Sequence, residues 1–593
     1  MIKALDIQYL RHFLEYAKPY RRYSLAGVAL LPMTVVTSLL IPWLTIRVID
    51  NYLAIGRLDG LIQISLLLVG VILLNYLSDA CYSYLLRYTG QRTIFDMRMV
   101  LFSRILKFPR SYFDNVPTGT TLTRLTSDLE SISESFVMSV LSLVKDMITT
   151  VALIVMMLVI DWRLTLIVVV VMPPMLLITR WVRNKLRQGY LVSRRALAKG
   201  TGYLQECLQG VKTVQLFGAE EEVERTYKGH NDEFLRAQLK TNKYDAALVS
   251  IITGITTLTI GLMIWHGSSQ ILAGVLTPGV LIAFISTMEK VFVPIRDFTS
   301  QIASIQRSFA AFDHVDELFA QPLQEQGRAL LSAAEISGRL DRFESLEFRN
   351  VYFRYSPDSP YVLKGVSFKL ERGHQLALVG TTGSGKSTIL RLVSKVYLDY
   401  EGSILLNGIE LSQLSIDDSQ HLFSLMQQDV YLFEQSIRFN IALGKEGIDE
   451  TQVRQAARYV YADQFIETQP QQYDMPLSRN GANLSAGQTQ LISFARSVAQ
   501  GGDVIMLDEA TSSVDSVTES LIQKAINRLF QEKTVIAIAH RLSTIRHSDT
   551  ILVLEQGRII ERGNHQQLLK QNGTYAALLD DAHDNDSDEG VLV

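Results

Sequence analysis

The residues Gly380-Thr381-Thr382-Gly383-Ser384-Gly385-Lys386-Ser387-Thr388 have the types and spacing to hold phosphate. Glycines let several backbone N–H groups converge on phosphate oxygens, and the helix N-terminus that follows adds its dipole. Lys386 is placed to reach the β- and γ-phosphates of a nucleoside triphosphate, and the Ser387 hydroxyl to ligate Mg²⁺. The apolar run 374–380 ahead of the loop reads as a strand, and a helix opens near Lys386. A second chemical pair follows at Asp508-Glu509, at the end of the apolar run Val504–Leu507. A carboxylate at such a strand end can hold Mg²⁺ through water, and the next one is placed to polarise an attacking water as general base.

The segments 374–380, 503–508 and 534–540 are strand-like runs, apolar on both faces, each ending at a polar residue or glycine. That pattern predicts a parallel α/β sheet. It begins near Leu346, after a polar stretch, 321–345, that reads as a linker. The chain closes on an acidic tail, 580–593, with six carboxylates among positions 580–589, which reads as a solvated end.

The first 320 residues are of another kind. Hydrophobic residues make up 48% of the 593-residue chain and mean hydropathy is +0.15, so part of the chain is expected in lipid. A span needs about 20 mostly apolar residues. Such runs fall at 23–46, 60–78, 135–160 and 164–179, with two more inside 246–288, divided at Gly267, Gly274, Pro278 and Gly279. Six spans put both ends on one side. The segments 87–134 and 180–245 hold 7 and 13 Lys/Arg and the first 22 residues hold five, whereas the intervening loops carry only Arg47, Arg57 and Arg163. The positive-inside rule then makes the termini and both long segments cytoplasmic. These segments keep helical periodicity, so the spans are expected to continue as helices beyond the bilayer. No cleavable signal peptide is read at the start, where basic and apolar residues suggest an amphipathic helix on the membrane face.

Six spans preceding the sheet exclude a soluble ATPase acting on DNA or ribosomes, and the net charge of −3 gives no bias toward nucleic acid. Cys81 and Cys207 are too few and too far apart for a disulfide framework or metal site, and both are expected as small buried hydrophobes. Ionisable residues inside spans are costly and are functional candidates. Lys145 and Glu289 are the candidates to line a cargo path, with Asp79, Asp146 and Lys290 behind them.

Between the two chemical motifs lies Leu484-Ser485-Ala486-Gly487-Gln488, which resembles the signature sequence of the ATP-binding cassette (ABC) superfamily. Tyr355 resembles the aromatic residue that stacks on adenine, Gln428 the Q-loop glutamine, Ser513-Val514-Asp515 the D-loop, and His540 the switch histidine. The resemblance covers essentially the whole chain, in the order of bacterial half-size exporters of the multidrug and lipid-flippase group. It implies a multidomain fold: a six-helix transmembrane domain (1–320) with long cytoplasmic extensions, a linker (321–345), and an α/β P-loop ATPase cassette (346–579) ahead of the tail.

The resemblance also implies ATP and Mg²⁺ at the site, with Gly380, Gly383, Ser384, Gly385, Lys386, Ser387 and Thr388 around the phosphates. Gln428 would touch Mg²⁺ or the attacking water, and His540 would orient that water with Glu509. Ser485, Gly487 and Gln488 would serve the ATP of a partner chain. A homodimer is favoured over a heterodimer with a second half-transporter, because this chain keeps every catalytic element. The implied function is ATP-driven export or flipping of small amphipathic molecules across the cytoplasmic membrane. Lipid or peptide export and an ATP-gated channel are the alternatives. One departure stands out: where the family commonly has Glu two residues before the Gly ahead of the signature, this chain has Arg479, before Gly481. The tips near 112–125 and 210–220 resemble the family's coupling helices.

Overall fold

The computed structural model describes residues 15–133, 139–324, 331–336, 338–426, 430–508, 516–538, 546 and 548–579. The chain divides into two compact units. One comprises residues 1–106 and 119–321, the other residues 107–118 and 322–593.

The first unit is helical: α1 (Arg21–Val48), α2 (Leu61–Ile105), α4 (Ser139–Ile160), α5 (Trp162–Gln209), a short α6 (Val211–Leu216), α7 (Glu220–Leu272) and α8 (Pro278–Ala320). The label α3 belongs to Arg110–Asn115, in the other unit. At about 1.5 Å per residue, α2, α5 and α7 run about 65–80 Å, more than twice the hydrocarbon thickness. Among the described residues, five helices are long and apolar enough to cross a membrane. The sixth expected span falls in α8, a 43-residue helix carrying Glu289 and Lys290 in its first half. Asp161 stops α4 and starts α5: its backbone is extended and its carboxylate accepts from Leu164 N at 2.8 Å.

Helices α5 and α7 approach closely where Gly189 faces Thr241. A Cβ on Gly189 would stand 2.7 Å from the Thr241 hydroxyl. Ser193 donates to Gln238 Oε1 (2.6 Å) one turn on. The membrane core gathers Leu153, Met157, Val168, Met175, Met263, Phe284 and Met288, with many outward Leu, Val and Ile left exposed. That inversion is expected when the solvent is lipid. Cys81 is one of the exposed residues and Cys207 is half-buried, against the expectation that both are buried. On a helix surrounded by hydrocarbon, a small apolar side chain loses nothing by facing outward.

The second unit carries two sheets. One is antiparallel, in the order β2 (Leu363–Glu371), β1 (Ser345–Phe353), β4 (Glu401–Leu406), β5 (Ile409–Glu410). The other has the order β10 (Arg558–Gly563), β9 (Thr550–Glu555), β3 (Gln375–Val379), β8 (Thr534–Ile538), β7 (Val504–Asp508), β6 (Phe423–Met426). It is parallel from β9 to β6, with β10 antiparallel at the edge. Successive residues of its strands enter different cores. Leu376, Leu378, Met506 and Ile536 pack with the antiparallel sheet, whereas Ile505, Leu507, Val535 and Ala537 pack under the helices. Burial on both faces is why these strands are unbroken apolar runs. Ile336, Leu340 and Phe343, in the stretch read as a linker, are buried in the first of these cores.

Candidate functional site

Register sets the site. Leu378 pairs with Ile538, and Ile538 with Asp508, so β3, β8 and β7 end level with one another. The carboxyl edge of a parallel sheet is where such folds place their chemistry. The phosphate loop leaves β3 there and enters α9 (Lys386–Val393) through Gly385. Two glycines have no substitute. Gly380 has φ +148°, and a Cβ on it would stand 2.1 Å from the Leu554 carbonyl oxygen. Gly385 has φ +105° and would push into Leu363.

Inside the loop, Lys386 is buried, and its ammonium donates to the carbonyls of Gly380 (2.7 Å) and Thr381 (2.9 Å). Burial pulls its pKa below the ordinary lysine value, with Asp508 pulling the other way. The Ser384 hydroxyl is fully buried with no hydrogen-bond partner among the described residues. A buried polar atom left unpaired is costly, and a phosphate oxygen at this loop would pair it. Ser387 Oγ lies 3.4 Å from Asp508 Oδ1, a hydroxyl and a carboxylate of the kind that hold Mg²⁺. The residues present therefore fit a nucleoside triphosphate with its cation.

Tyr355, from the loop after β1, reaches the same helix. Its hydroxyl is 2.8 Å from Thr388 Oγ1 and accepts from Arg391 (3.1 Å). Its ring is edge-on to Phe353 and Tyr397, with centroids at 5.0 and 5.2 Å, and remains 38% exposed, leaving room for a second ring to stack. Arg391 and Tyr397 escaped the sequence reading. Arg391 has the weak signal of lying on α9, but nothing local marks Tyr397.

Ser485 caps α12 (Ala486–Ala499), which follows α10 (Ile437–Ala442), α11 (Glu450–Tyr459) and the short helices Ile416–Gln420 and Asp463–Ile466. Ser485 Oγ accepts from Gln488 N (3.2 Å), and Gln488 Oε1 accepts from Ser485 N (3.1 Å). Ser485 is exposed and Gly487 is buried beneath it. Ahead of it, Arg479–Gly481 forms a single 3₁₀ turn, with Asn480 and Gly481 both at positive φ. Gln428, Glu509, Asp515 and His540 lie outside the described residues.

In the membrane unit, Lys145 and Glu289 line one cleft of about 410 Å³, together with Asn75, Asp79, Asp146 and Lys290. Lys145 Nζ pairs with Asp79 Oδ1 at 2.6 Å. Asn75 Nδ2 donates to Thr37 Oγ1 (2.7 Å), Ser38 Oγ (3.1 Å) and the Thr34 carbonyl (3.1 Å), tying α2 to α1.

An α/β phosphate-loop cassette fused behind membrane-spanning helices defines the class, a half-size ATP-driven transporter. The family described as ABC transporter transmembrane region matches residues 25–295, and that described as ABC transporter matches residues 363–512. The chain belongs to the ABC transporter family. An uncharacterised ABC transporter ATP-binding protein of Bacillus subtilis, YknV, is 32% identical over 95% of this chain and 93% of its own. An ATP-dependent lipid A-core flippase of Chromohalobacter salexigens is 31% identical over 96% of this chain and 97% of its own. The solved structure of a bacterial Atm1-family ABC exporter with ATP bound matches with a TM-score of 0.73 and 27% identity, covering 94% of this chain and 98% of that one. The protein is thus a membrane-spanning, ATP-hydrolysing ABC exporter.

Proposed function

We propose that the chain works as a homodimer that exports or flips small amphipathic molecules across the cytoplasmic membrane. The observation that supports this reading most is the phosphate loop. It holds a buried lysine, an unpaired serine hydroxyl and a facing Ser387–Asp508 pair, in the same chain as helices more than twice the length of a bilayer core. In this proposal the chain has six spans, with α8 as the last, both termini cytoplasmic, and a cassette over 346–579.

Each residue has a role in this reading. Tyr355 stacks on adenine. The backbone of Gly380, Gly383, Ser384 and Gly385 wraps the β-phosphate, Lys386 neutralises charge between the β- and γ-phosphates, and Thr388 steadies the Tyr355 hydroxyl. Ser387, Asp508 through water, and Gln428 hold Mg²⁺, which when bound offsets charge on the phosphates. Glu509 takes the proton of the attacking water, and His540 orients that water and the γ-phosphate. Ser485, Gly487 and Gln488 complete the site of the other copy, with Asp515 beside them. The exposure of Ser485, on a helix terminus, suits a ligand that arrives from outside the chain. So does the tip after α6, where Leu216 and Phe217 are each 82% exposed, an apolar end that a second cassette would cover. The lipid A-core flippase relative and the charged cleft at Lys145 and Glu289 support an amphipathic cargo.

Glu509→Gln tests the catalytic assignment. It is expected to lower hydrolysis about 10²- to 10⁴-fold while leaving ATP binding intact, because only the base is lost. Turnover within a few-fold of wild type would remove Glu509 from the mechanism.

A further inference from the structure

The charged cleft has a neighbour. A second cleft of about 260 Å³ is lined by Met147, Val151, Ile154, Met172 and Leu176, and it shares Asp146 and Pro294 with the first. Both volumes fall at or near the lower end of the range that holds drug-sized ligands. The residues sit deep. By helical rise, Glu289 is about 16 Å along α8 from its start, Lys145 about 22 Å from the end of α4, and Asp79 about 27 Å from the start of α2. With the outer helix ends taken as the membrane surface, these depths fall inside a hydrocarbon layer about 30 Å thick, where a charge without a partner is expensive.

The charges do not cancel. Among the described residues of the cleft, Asp79, Asp146 and Glu289 face Lys145 and Lys290, leaving one net negative charge. Asp79 and Lys145 satisfy each other. Among the described residues, Asp146 accepts from neutral donors, Ser142 Oγ and Gln301 Nε2, both at 3.3 Å. Glu289 has no ion-pair partner among the described residues. At the wall of the apolar cleft the Thr150 hydroxyl is buried and unpaired. A carboxylate excess beside an apolar slot, joined through Asp146, has the two halves that an amphiphile has.

Building on the exporter reading above, we propose that the two clefts form one cargo site for an amphiphile with a cationic amine head and a single apolar tail. The head lies between Asp146 and Glu289, and the tail lies along Met147, Val151 and Met172. The Asp79–Lys145 pair holds Lys145 away from those two carboxylates, which then exceed Lys290 by one charge.

The test uses the full chain in phosphatidylcholine nanodiscs, with ATP hydrolysis followed while dodecyltrimethylammonium, dodecyl maltoside or dodecyl sulfate is added below its micellar concentration. One charge contact at low dielectric exceeds a tenfold change in affinity, so the ammonium compound is expected to act at about a tenfold lower concentration than the sulfate. Tetramethylammonium, which lacks the tail, is expected to have no effect. Glu289→Gln is expected to raise the half-effective concentration of the ammonium compound about fivefold or more and leave that of the maltoside in place. Equal potency of the three heads, a preference for the sulfate, or no response to any of them overturns the site. Where the variant fails to fold, the wild-type head-group series decides alone. ATP hydrolysis before any addition separates the two readings, since a chain that turns over ATP without head-group preference loses this site and keeps its place as an exporter.

Discussion

At the scale of single residues, the phosphate loop is held by contacts that leave little tolerance. Lys386 is buried in its own loop, where two carbonyls accept from its ammonium and Asp508 is its countercharge. In the proposed role, Lys386→Ala would remove the main positive charge facing the β- and γ-phosphates. A charge-assisted hydrogen bond contributes about 1.5–3 kcal/mol, so ATP affinity is expected to fall about ten- to a hundredfold. Titration with a fluorescent ATP analogue measures this, and unchanged affinity contradicts the role given to Lys386. Gly380→Ala acts differently, since its methyl group would meet the Leu554 carbonyl oxygen at 2.1 Å with the backbone at φ +148°. Forcing that contact is expected to cost about 1–3 kcal/mol in stability, visible as a lower cassette melting temperature. A melting temperature equal to wild type would mean that the loop relaxes around the methyl group.

At the scale of elements, the segment 107–118 belongs with the cassette unit although it lies between membrane helices in sequence. Phe108 and Tyr112 of this segment are buried, and the Tyr397 hydroxyl donates to Asp114 of α3. Burial, then the Asp114 contact, pushes the Tyr397 hydroxyl pKa up to about 12, so the donor keeps its proton throughout the physiological range. The ring of Tyr397 also packs on Tyr355. Asp114→Asn and Tyr397→Phe are expected to cost about the same singly as together. The coupling should be about 0.5–1.5 kcal/mol in a double-mutant cycle read by thermal unfolding. Additive losses would show that the two residues act independently. This contact also marks the limit of what sequence shows. The phosphate loop, the apolar strands β3, β7 and β8 and the long helices are local patterns, and local patterns are legible. Tyr397 and Asp114 are 283 residues apart, and no periodicity joins them. The antiparallel sheet of β1, β2, β4 and β5 and the burial of Ile336, Leu340 and Phe343 depend in the same way on partners distant in the chain. Cys81 is exposed on a helix whose solvent is lipid, and a residue type that hides from water need not hide there.

At the scale of the whole molecule, the chain carries one phosphate loop and one signature helix, and the proposed catalytic unit needs the loop of one copy with Ser485 and Gly487 of another. The same chain retains Lys386, Asp508, Glu509, His540 and the signature, so under the proposed function two copies would supply two competent sites. The most direct measurement is to express this chain alone, determine its mass in detergent and assay its ATP hydrolysis. The expected result is a particle of two 66.7-kDa chains that hydrolyses ATP without any other protein. A monomer that is inactive alone, and gains activity only when a second, different half-transporter is added, would contradict the account.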